Sequence, residues 1–472
     1  MTLIARKEEQ KLLNQALCKQ ESQFIAVYGR RGVGKTYLIR KLFSERFSFV
    51  HTGYCNLSRK EQLSVFFKSL RKAGLSSRRR CPKNWLEAFD LLEMVVEQST
   101  AEKKLLFLDE LSWMDTPRSD LIPALEHFWN AFASARKDVI LLICSSSPSW
   151  VIDHVMHNIG GLYNRLTLSI HLEPFQLCEA EEYTRSLGVS LNRRQILKGY
   201  MALGGIPYYW SRLKKGMSID QYLDYLFFRR GALLKNECSG LFGSLFRKPE
   251  IFQKIVATLS QKKIMTRNEI LKAVGLTSAG GASKILRDLE NCDFIRECTS
   301  YGERKERVYR LIDPFILFYY HFLEPRPGDT EFRMERANTP ETSRWQDLAF
   351  EIVSRLHTQN IKNALGIGAV LTEEFSFSVP ENLAEGIYGS QIDLVLKRAD
   401  RISNLIEMKY SEDEYLITKA SDEAMRRKRS DYQRVSGSKD TIHLTLIAPC
   451  GVLQNSYACN LASVVTGEDL FL

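Results

Sequence analysis

The chain has 472 residues, of which 44% are hydrophobic and 26% charged, so it can form roughly three domains of ordinary composition. No apolar run approaches the roughly 18 residues of a membrane span, and residues 1–9 lack a secretory apolar core, which excludes a membrane-spanning protein and predicts a cytoplasmic one. The formal net charge of +10 favours an anionic partner, with DNA ahead of an acidic protein or a membrane surface.

The first informative pattern is a glycine-rich loop. It follows the apolar run 24–28, which is typical of a buried strand, and completes G-x-x-x-x-G-K-[ST] before a helical run. In this spacing backbone N–H groups surround phosphates, the lysine neutralises β/γ charge and the threonine hydroxyl binds Mg²⁺. The predicted triphosphate site consists of Gly29, Arg30, Arg31, Gly32, Val33, Gly34, Lys35 and Thr36.

A second buried-strand pattern, residues 105–108, ends in two carboxylates, Asp109 and Glu110. Asp109 is predicted to hold the Mg²⁺ shell, and Glu110, one residue past the strand, to polarise the attacking water during hydrolysis. Acids often end strands, but together with the glycine-rich loop this pattern predicts a nucleotide-hydrolysing site.

A third apolar run, residues 139–143, is followed by serines. A hydroxyl at this strand end can contact the γ-phosphate or the attacking water, so Ser146, with Ser145 as the neighbouring option, is a candidate sensor. The alternative is a serine-rich loop that caps the next helix.

Residues 1–235 alternate strand-like and helical runs, which predicts a parallel α/β sheet domain. Residues 245–322 differ: three helical runs, one of them opened by a capping box at 266–269, precede two strand-like runs. This order predicts a winged helix-turn-helix. The polar, proline-marked segment 323–344 is predicted to be a linker.

The winged segment has candidate DNA contacts. Ser283, Lys284 and Arg287 would face the major groove, and Arg304 and Lys305 of the wing would lie on phosphate. The alternative is a winged helix that serves only as a protein-contact or lid module.

The last block, residues 345–472, contains two strand-like runs around a turn at 398–401. In a hairpin centred on residue 400, Asp393 and Glu407 are direct cross-strand neighbours, and Lys409 shares the face of Glu407. Two carboxylates and a lysine suit a Mg²⁺-dependent phosphodiesterase, with Glu351 of the preceding helix as an extra ligand. An ordinary hairpin with a surface Glu–Lys pair has the same pattern, and the basic run 426–429 is either a phosphate contact or a solvated helix face.

The motifs RKEE, GRRGVGKT, LLFLDE, GGLYNR, EPF and GGIPYYW, in this order, resemble the AAA-type ATPases, related to the STAND class, that are abundant in archaea and bacteria. The resemblance implies ATP and Mg²⁺ as cofactors and places Arg6, Gly205 and Pro207 beside the adenine, although Ala5 replaces the usual glycine. It also implies a phosphate-sensing or finger role for Arg165, acting in its own or a neighbouring subunit, for which a surface arginine is the alternative.

The last block resembles the PD-(D/E)xK nuclease superfamily, which the same ATPase family carries at its C-terminus. The resemblance implies metal and catalytic positions at Asp393, Glu407 and Lys409, with Glu351 as the helix glutamate. The predicted fold is thus an AAA-type P-loop α/β domain, a winged helix and an α/β nuclease-like domain. The predicted function is a DNA-acting, metal-dependent nuclease coupled to Mg-ATP hydrolysis, or a regulatory switch that binds DNA or protein without cutting, in either case able to form homo-oligomers.

Overall fold

The computed structural model describes residues 3–44, 46–246, 248–276, 279–301, 305–324 and 339–472. It divides into two compact units, the first ending at Pro174 and the second beginning at Phe175. This division falls inside the segment that the sequence assigns to the ATPase domain. The wing residue Arg304 and most of the predicted linker, residues 325–338, lie outside the described residues.

The first unit alternates strands and helices, as the sequence predicts. Its strands are β1 (Gln23–Tyr28), β2 (Phe47–Thr52), β3 (Lys104–Asp109), β4 (Val139–Ser145) and β5 (Leu168–His171). Its helices are α1 (Lys7–Leu17), α2 (Lys35–Leu42), α3 (Arg59–Lys72), α4 (Trp85–Gln98), α5 (Leu111–Met114), α6 (Leu121–His127) and α7 (Pro148–Val151), with π-helical turns after the last two at Phe128–Ala133 and Ile152–Met156.

The five described strands of this unit form one parallel sheet in the order β2-β3-β4-β1-β5. Every residue of β1 and of β4 is buried, which explains their continuous apolar sequences, because helices cover both faces of a parallel sheet. The carboxyl ends of parallel strands meet at one edge, so the segments that follow β1, β3 and β4 lie side by side. The predicted parallel α/β sheet is confirmed.

The second unit begins with helices and ends in a mixed sheet. Its helices are α8 (Leu177–Ser186), α9 (Arg193–Leu203), α10 (Pro207–Trp210), α11 (Ile219–Leu223), α12 (Glu237–Leu245), α13 (Pro249–Ser260), α14 (Arg267–Val274), α15 (Ala279–Asn291), α16 (Pro314–Phe318), α17 (Pro340–Leu356), α18 (Thr358–Ala364) and α19 (Lys419–Ser436). Its strands are β6 (Met265–Thr266), β7 (Ile295–Tyr301), β8 (Lys305–Leu311), β9 (Thr372–Asn382), β10 (Ile387–Arg398), β11 (Ile402–Met408), β12 (Thr441–Ala448) and β13 (Ser463–Thr466).

The segment from α13 to β8 has the predicted order of helix, helix, helix and hairpin, with the short strand β6 before α14. Thr266 and Glu269 form the predicted capping box at the start of α14. The hairpin β7–β8 does not stand apart from the C-terminal strands, since Ser300 and Tyr301 of β7 pair with Ser376 and Phe377 of β9. In the described part of the second unit, the strands thus form one sheet, ordered β13-β12-β11-β10-β9-β7-β8-β6.

The hairpin β10–β11 has the register that the sequence predicts. Leu394 pairs with Ile406 and Lys397 pairs with Ser403, so the turn is centred on residue 400. The same register brings Asp393 opposite Glu407 at the next position along the strands. Among the described residues, no helix is long and apolar enough to cross a membrane.

Candidate nucleotide site and a carboxylate pair in the second unit

The glycine-rich loop leaves β1 at Gly29, where the chain passes very close to a neighbouring backbone. A Cβ atom at Gly29 would lie 2.3 Å from the carbonyl oxygen of Leu172, so any other residue would displace one of the two segments. The loop ends at Gly34, which adopts a left-handed conformation with φ 98° and caps α2. These two glycines set the path of the loop between the strand and the helix.

Lys35 and Thr36 start α2 and point to different parts of the site. The Lys35 Nζ donates to the carbonyl oxygens of Gly29 and Arg30, at 2.8 and 3.0 Å, and its side chain is buried. The Thr36 hydroxyl donates to the two carboxylate oxygens of Asp109, at 3.0 and 3.1 Å. The loop lysine and the strand-end carboxylate are therefore brought together, as the two motifs predict.

Asp109 and Glu110 form an acidic pair at the end of β3. Burial, and then the neighbouring Glu110 carboxylate, raise the pKa of Asp109, while the Thr36 hydroxyl partly offsets both effects. Glu110 has a left-handed backbone, with φ 51° and ψ 47°, which turns the chain sharply into α5. A buried carboxylate whose charge is costly, such as that of Asp109, is a site where a cation is stabilising.

Ser146 lies at the end of β4 and contacts Glu110 directly. Its backbone N–H donates to Glu110 Oε2 at 2.9 Å, and its hydroxyl donates to Glu110 Oε1. The hydroxyl of Ser145 donates instead to Ser112, at 2.8 Å. Of the two serines, Ser146 is the one that contacts a predicted catalytic group, and this sensor role stays a prediction.

Arg6 precedes α1 and lies against the glycine-rich loop. Its guanidinium donates to the carbonyl oxygens of Val33 and Glu173 and forms an ion pair with Glu9 at 3.4 Å. The contact with Val33 joins the chain entry to the phosphate loop, so Arg6 supports the loop. Its predicted contact with adenine is not tested by this geometry.

Arg165 lies near the amino ends of the strands, whereas Lys35 lies beyond their carboxyl ends. Arg165 precedes β5, at the level of Phe24 near the amino end of β1, because the Thr167 N–H donates to the Phe24 carbonyl. The glycine-rich loop begins at Gly29, five residues further along β1, which is about 16 Å away at the rise of a strand. Arg165 is exposed and its Nε donates to the Gly161 carbonyl at 3.4 Å. The fold therefore does not bring Arg165 to the phosphate site of its own chain.

Gly205 and Pro207 belong to the second unit. A Cβ atom at Gly205 would lie 1.9 Å from the carbonyl oxygen of Phe175, whose N–H donates to the Gly205 carbonyl at 2.6 Å. Pro207 is the first residue of α10. Close backbone contact explains the glycine, and the predicted nucleotide role of both residues stays a prediction.

The residues at the end of β1 and β3 suit magnesium and a triphosphate. A threonine hydroxyl and a carboxylate are the hard oxygen ligands that Mg²⁺ takes together with phosphate oxygens and water. Asp109 is buried, and its raised pKa reflects the cost of its negative charge, so a divalent cation would stabilise the ionised carboxylate. Lys35 and the start of α2 supply positive charge where the phosphates would bind.

In the second unit the hairpin register brings the predicted nuclease residues together. Asp393 and Glu407 are both buried, and the Met408 N–H donates to Asp393 Oδ2 at 3.0 Å. Lys409 directly follows β11, is half-buried, and carries a charge that favours the ionised form of both acids. Glu351 of α17 is buried as well.

Two lysines that the sequence analysis did not assign to this site lie in it. The Lys263 Nζ lies 2.8 Å from Glu351 Oε2 and 2.9 Å from Asp393 Oδ1. The Lys428 Nζ lies 2.7 Å from Glu407 Oε2. Lys428 belongs to the basic run 426–429, so this member of the run faces an acid of the site, and we do not assign it to DNA phosphate.

The charges around the acids differ in their effects. Burial opposes ionisation of Asp393, but the Lys263 ammonium and its hydrogen bond more than offset this and lower the pKa of Asp393. Burial and the Asp393 carboxylate raise the pKa of Glu407 to about 7, although Lys428 opposes the shift. Burial also opposes the charge of Lys263, but Glu351 and Asp393 raise its pKa above the ordinary value, so its ammonium stays charged at neutral pH.

As arranged here, the three acids do not form a metal centre. Across the described residues, no group of three or more His, Cys, Asp or Glu side chains is placed to hold a metal ion. The Lys263 ammonium lies between Glu351 and Asp393, where a divalent ion shared by these two carboxylates would have to bind. The predicted metal role of Glu351, Asp393 and Glu407 thus does not fit this arrangement.

The described residues among the predicted DNA contacts of the winged segment lie on the surface. Ser283, Lys284 and Arg287 are exposed on one side of α15, and the Ser283 hydroxyl accepts from Arg267 at 3.3 Å. Lys305 of the wing is 55% exposed and forms an ion pair with Glu373 of β9. Their predicted contacts with DNA stay predictions.

Comparison with known protein families supports the assignment of the first site to a nucleotide. Residues 3–213 match a family model described as "ATPase domain predominantly from Archaea". The chain is 24% identical over 326 residues to an uncharacterized protein, MJECL04, of Methanocaldococcus jannaschii, across 68% of this chain and 69% of that protein.

Two solved structures are distantly similar. The Walker-type ATPase PABY2304 of Pyrococcus abyssi has a TM-score of 0.49 at 15% identity, over 68% of this chain and 96% of that one. The ORC2 protein of Aeropyrum pernix, solved in ADPNP–ADP complexes, has a TM-score of 0.43 at 15% identity, over 75% of this chain and 96% of that one. The assignment of the first site rests on the family match and on the loop geometry.

Proposed function

We propose that this protein, whose residues 3–213 match a family model of ATPase domains, binds Mg-ATP at the glycine-rich loop and couples its hydrolysis to DNA bound by the second unit. One observation carries the ATPase part: the Thr36 hydroxyl contacts the Asp109 carboxylate beside the loop lysine, while Glu110 follows at the same strand end. Lys35 would neutralise the β/γ-phosphates, Thr36 and Asp109 would hold Mg²⁺, and Glu110 would orient the attacking water.

The Arg165 position supports a role between subunits. An arginine at the amino edge of the sheet cannot reach the phosphates of its own chain, but it is exposed and available to a neighbouring copy. In a ring or dimer it would stabilise charge on the transferred phosphoryl group. The proposed function thus includes homo-oligomers.

The basic α15 surface supports DNA as the partner. Ser283, Lys284 and Arg287 share one exposed side of a helix that follows a helix and a turn, and we expect this order for a recognition helix. The net charge of +10 favours a polyanion. A regulatory switch that binds protein through the same helix is the alternative.

A salt titration tests the DNA proposal. We expect the double variant Lys284→Ala/Arg287→Ala to bind a fluorescein-labelled mixed-sequence duplex about tenfold more weakly, with a salt slope smaller by about two, because two cationic contacts with the polyanion are lost. Fluorescence anisotropy at several salt concentrations, with and without ATP, measures both quantities.

The control for that titration is Lys68→Ala/Lys72→Ala, which removes the same charge from exposed positions of α3. It should leave the salt slope close to that of the native protein. An equal loss of affinity in both double variants would show that net charge alone drives binding, and an unchanged slope for the α15 variant would exclude α15 as the DNA surface.

Metal-dependent cleavage of DNA is a second candidate function, and it requires a state in which the Lys263 ammonium has left its position between Glu351 and Asp393. It is favoured by the hairpin register, which brings Asp393 opposite Glu407 with Lys409 adjacent. We expect nicking of supercoiled plasmid only with Mg²⁺ or Mn²⁺, and a loss of about 10²- to 10³-fold in Lys409→Ala, because that ammonium would steady developing charge. An agarose gel assay with EDTA and Lys397→Ala as controls measures it. Nicking that persists in Lys409→Ala would eliminate the nuclease and leave a DNA-binding switch.

A further inference from the structure

The acids Glu351 and Asp393 share one ammonium that comes from outside the nuclease-like block. Lys263 follows α13, in the segment that carries the three helices, whereas Glu351 lies on α17 and Asp393 on β10. Its Nζ is 2.8 Å from one carboxylate and 2.9 Å from the other. A bridging cation at these distances takes the place that a divalent ion would have between the same oxygens.

Lys263 differs from the other cations around Glu351 in how it is held. The side chains of Arg310 and Arg355 are 8% and 14% exposed, and both contact Glu351 Oε1. Lys263 is 36% exposed and contacts Oε2. It can therefore leave towards solvent while the two arginines still neutralise Glu351, so its withdrawal would leave Asp393 as the main uncompensated charge.

Glu407 has one carboxylate oxygen that is paired with a lysine and one that is not. One of its oxygens, Oε2, is bound to Lys428, while Oε1 is buried and has no hydrogen-bond partner. Glu407 and Asp393 each lie one position beyond the Leu394–Ile406 pair of the hairpin, and the Asp393 carboxylate acts electrostatically on Glu407. A cation that replaced Lys263 beside Asp393 would gain from this second carboxylate, since unpaired buried oxygens are costly.

We propose that the Lys263 ammonium is a displaceable internal cation that fills the divalent-ion position beside Glu351 and Asp393 and excludes metal ions while it stays there. The metal position is thereby controlled by the segment that also carries the candidate DNA-binding helix. This inference extends the second candidate function, but ion binding can be measured without any cleavage.

The test is a Mn²⁺ titration followed by the EPR signal of free Mn²⁺, without nucleotide. We expect Lys263→Met to bind Mn²⁺ about 100-fold more tightly than the native protein, because a positive charge next to the ion is removed. Lys263→Arg keeps the charge and should bind as weakly as the native protein. Lys263→Met/Asp393→Asn should lose the gain, which separates this site from the phosphate-loop site.

Thermal melting provides a second readout. Lys263→Met leaves Asp393 without its main counter-cation, so the melting temperature of this variant should fall. It should recover with Mn²⁺ by more than the native protein gains from Mn²⁺ at its phosphate-loop site, and Lys263→Met/Asp393→Asn should lack this extra recovery. The proposal is overturned if Lys263→Met gains neither Mn²⁺ affinity nor recovery. It is also overturned if the native protein, with Lys263 in place, binds Mn²⁺ at a site that the single variant Asp393→Asn removes. Mn²⁺ binding by Lys263→Met without plasmid nicking would support the proposal and contradict the nuclease function alone.

Discussion

Lys35→Ala is expected to weaken ATP binding by about 10- to 100-fold, because a charge-assisted contact to the β/γ-phosphates is lost. At saturating ATP the hydrolysis rate should also fall by about 10²- to 10³-fold, since the ammonium stabilises charge that develops on the transferred phosphoryl group. In the structure this side chain is buried in the loop and bonded to the Gly29 and Arg30 carbonyls. Binding of a fluorescent ATP analogue and release of phosphate measure the two effects.

Lys41→Ala is the matched control, because it removes the same charge from an exposed position of the same helix, α2. It should leave affinity and hydrolysis close to the native values. If Lys35→Ala bound ATP as tightly as Lys41→Ala does, the glycine-rich loop would not be the phosphate site. A melting temperature close to the native one would separate a local effect from unfolding.

The nucleotide site could be predicted from sequence because its parts are local. The loop from Gly29 to Thr36 is one continuous segment, and Asp109 is the last residue of a strand whose apolar sequence predicts that the strand is buried. Parallel pairing then brings the two segments to one edge. Arg165 shows the limit of local motifs: parallel pairing of β5 with β1 places it before the strand, at the opposite edge, so only the fold indicates that a finger role would act on a neighbouring subunit, and that role stays a prediction.

The second site was predictable only in part. The facing of Asp393 and Glu407 follows from a turn centred on residue 400, because hairpin register is set by the turn. Lys263 lies 130 residues from Asp393, on a segment with its own local pattern, so no spacing links the two. Lys428 is one of four consecutive basic residues. This run indicates a charged helix face, but it does not indicate which of the four side chains contacts Glu407. Both lysines alter what the Asp393–Glu407 pair can bind, because their ammonium groups neutralise carboxylates that would otherwise bind metal ions from solution.

Glu110→Gln is expected to slow ATP hydrolysis by about 10²- to 10⁴-fold and to leave ATP affinity unchanged. The carboxylate is the group that can take a proton from the attacking water, and an amide cannot. The amide nevertheless fits the same contacts: its oxygen accepts from the Ser146 N–H, and its nitrogen donates to the Ser146 hydroxyl, where the carboxylate now accepts both. Single-turnover phosphate release and ATP binding, measured on the same protein, separate the two properties.

The expected separation of binding from hydrolysis depends on the position of Glu110 beyond the strand. Asp109 accepts a hydrogen bond from Thr36, so a change there alters the magnesium ligands and should weaken binding as well. The Glu110 side chain instead accepts hydrogen bonds from Ser146 at the end of β4. Asp109→Asn is therefore the contrasting variant, and Glu97→Gln, exposed on α4, is the neutral control. Hydrolysis by Glu110→Gln at the native rate would remove Glu110 from catalysis. Parallel loss of binding and hydrolysis would instead give it a role in holding the loop, because a group that only activates water affects the chemical step alone.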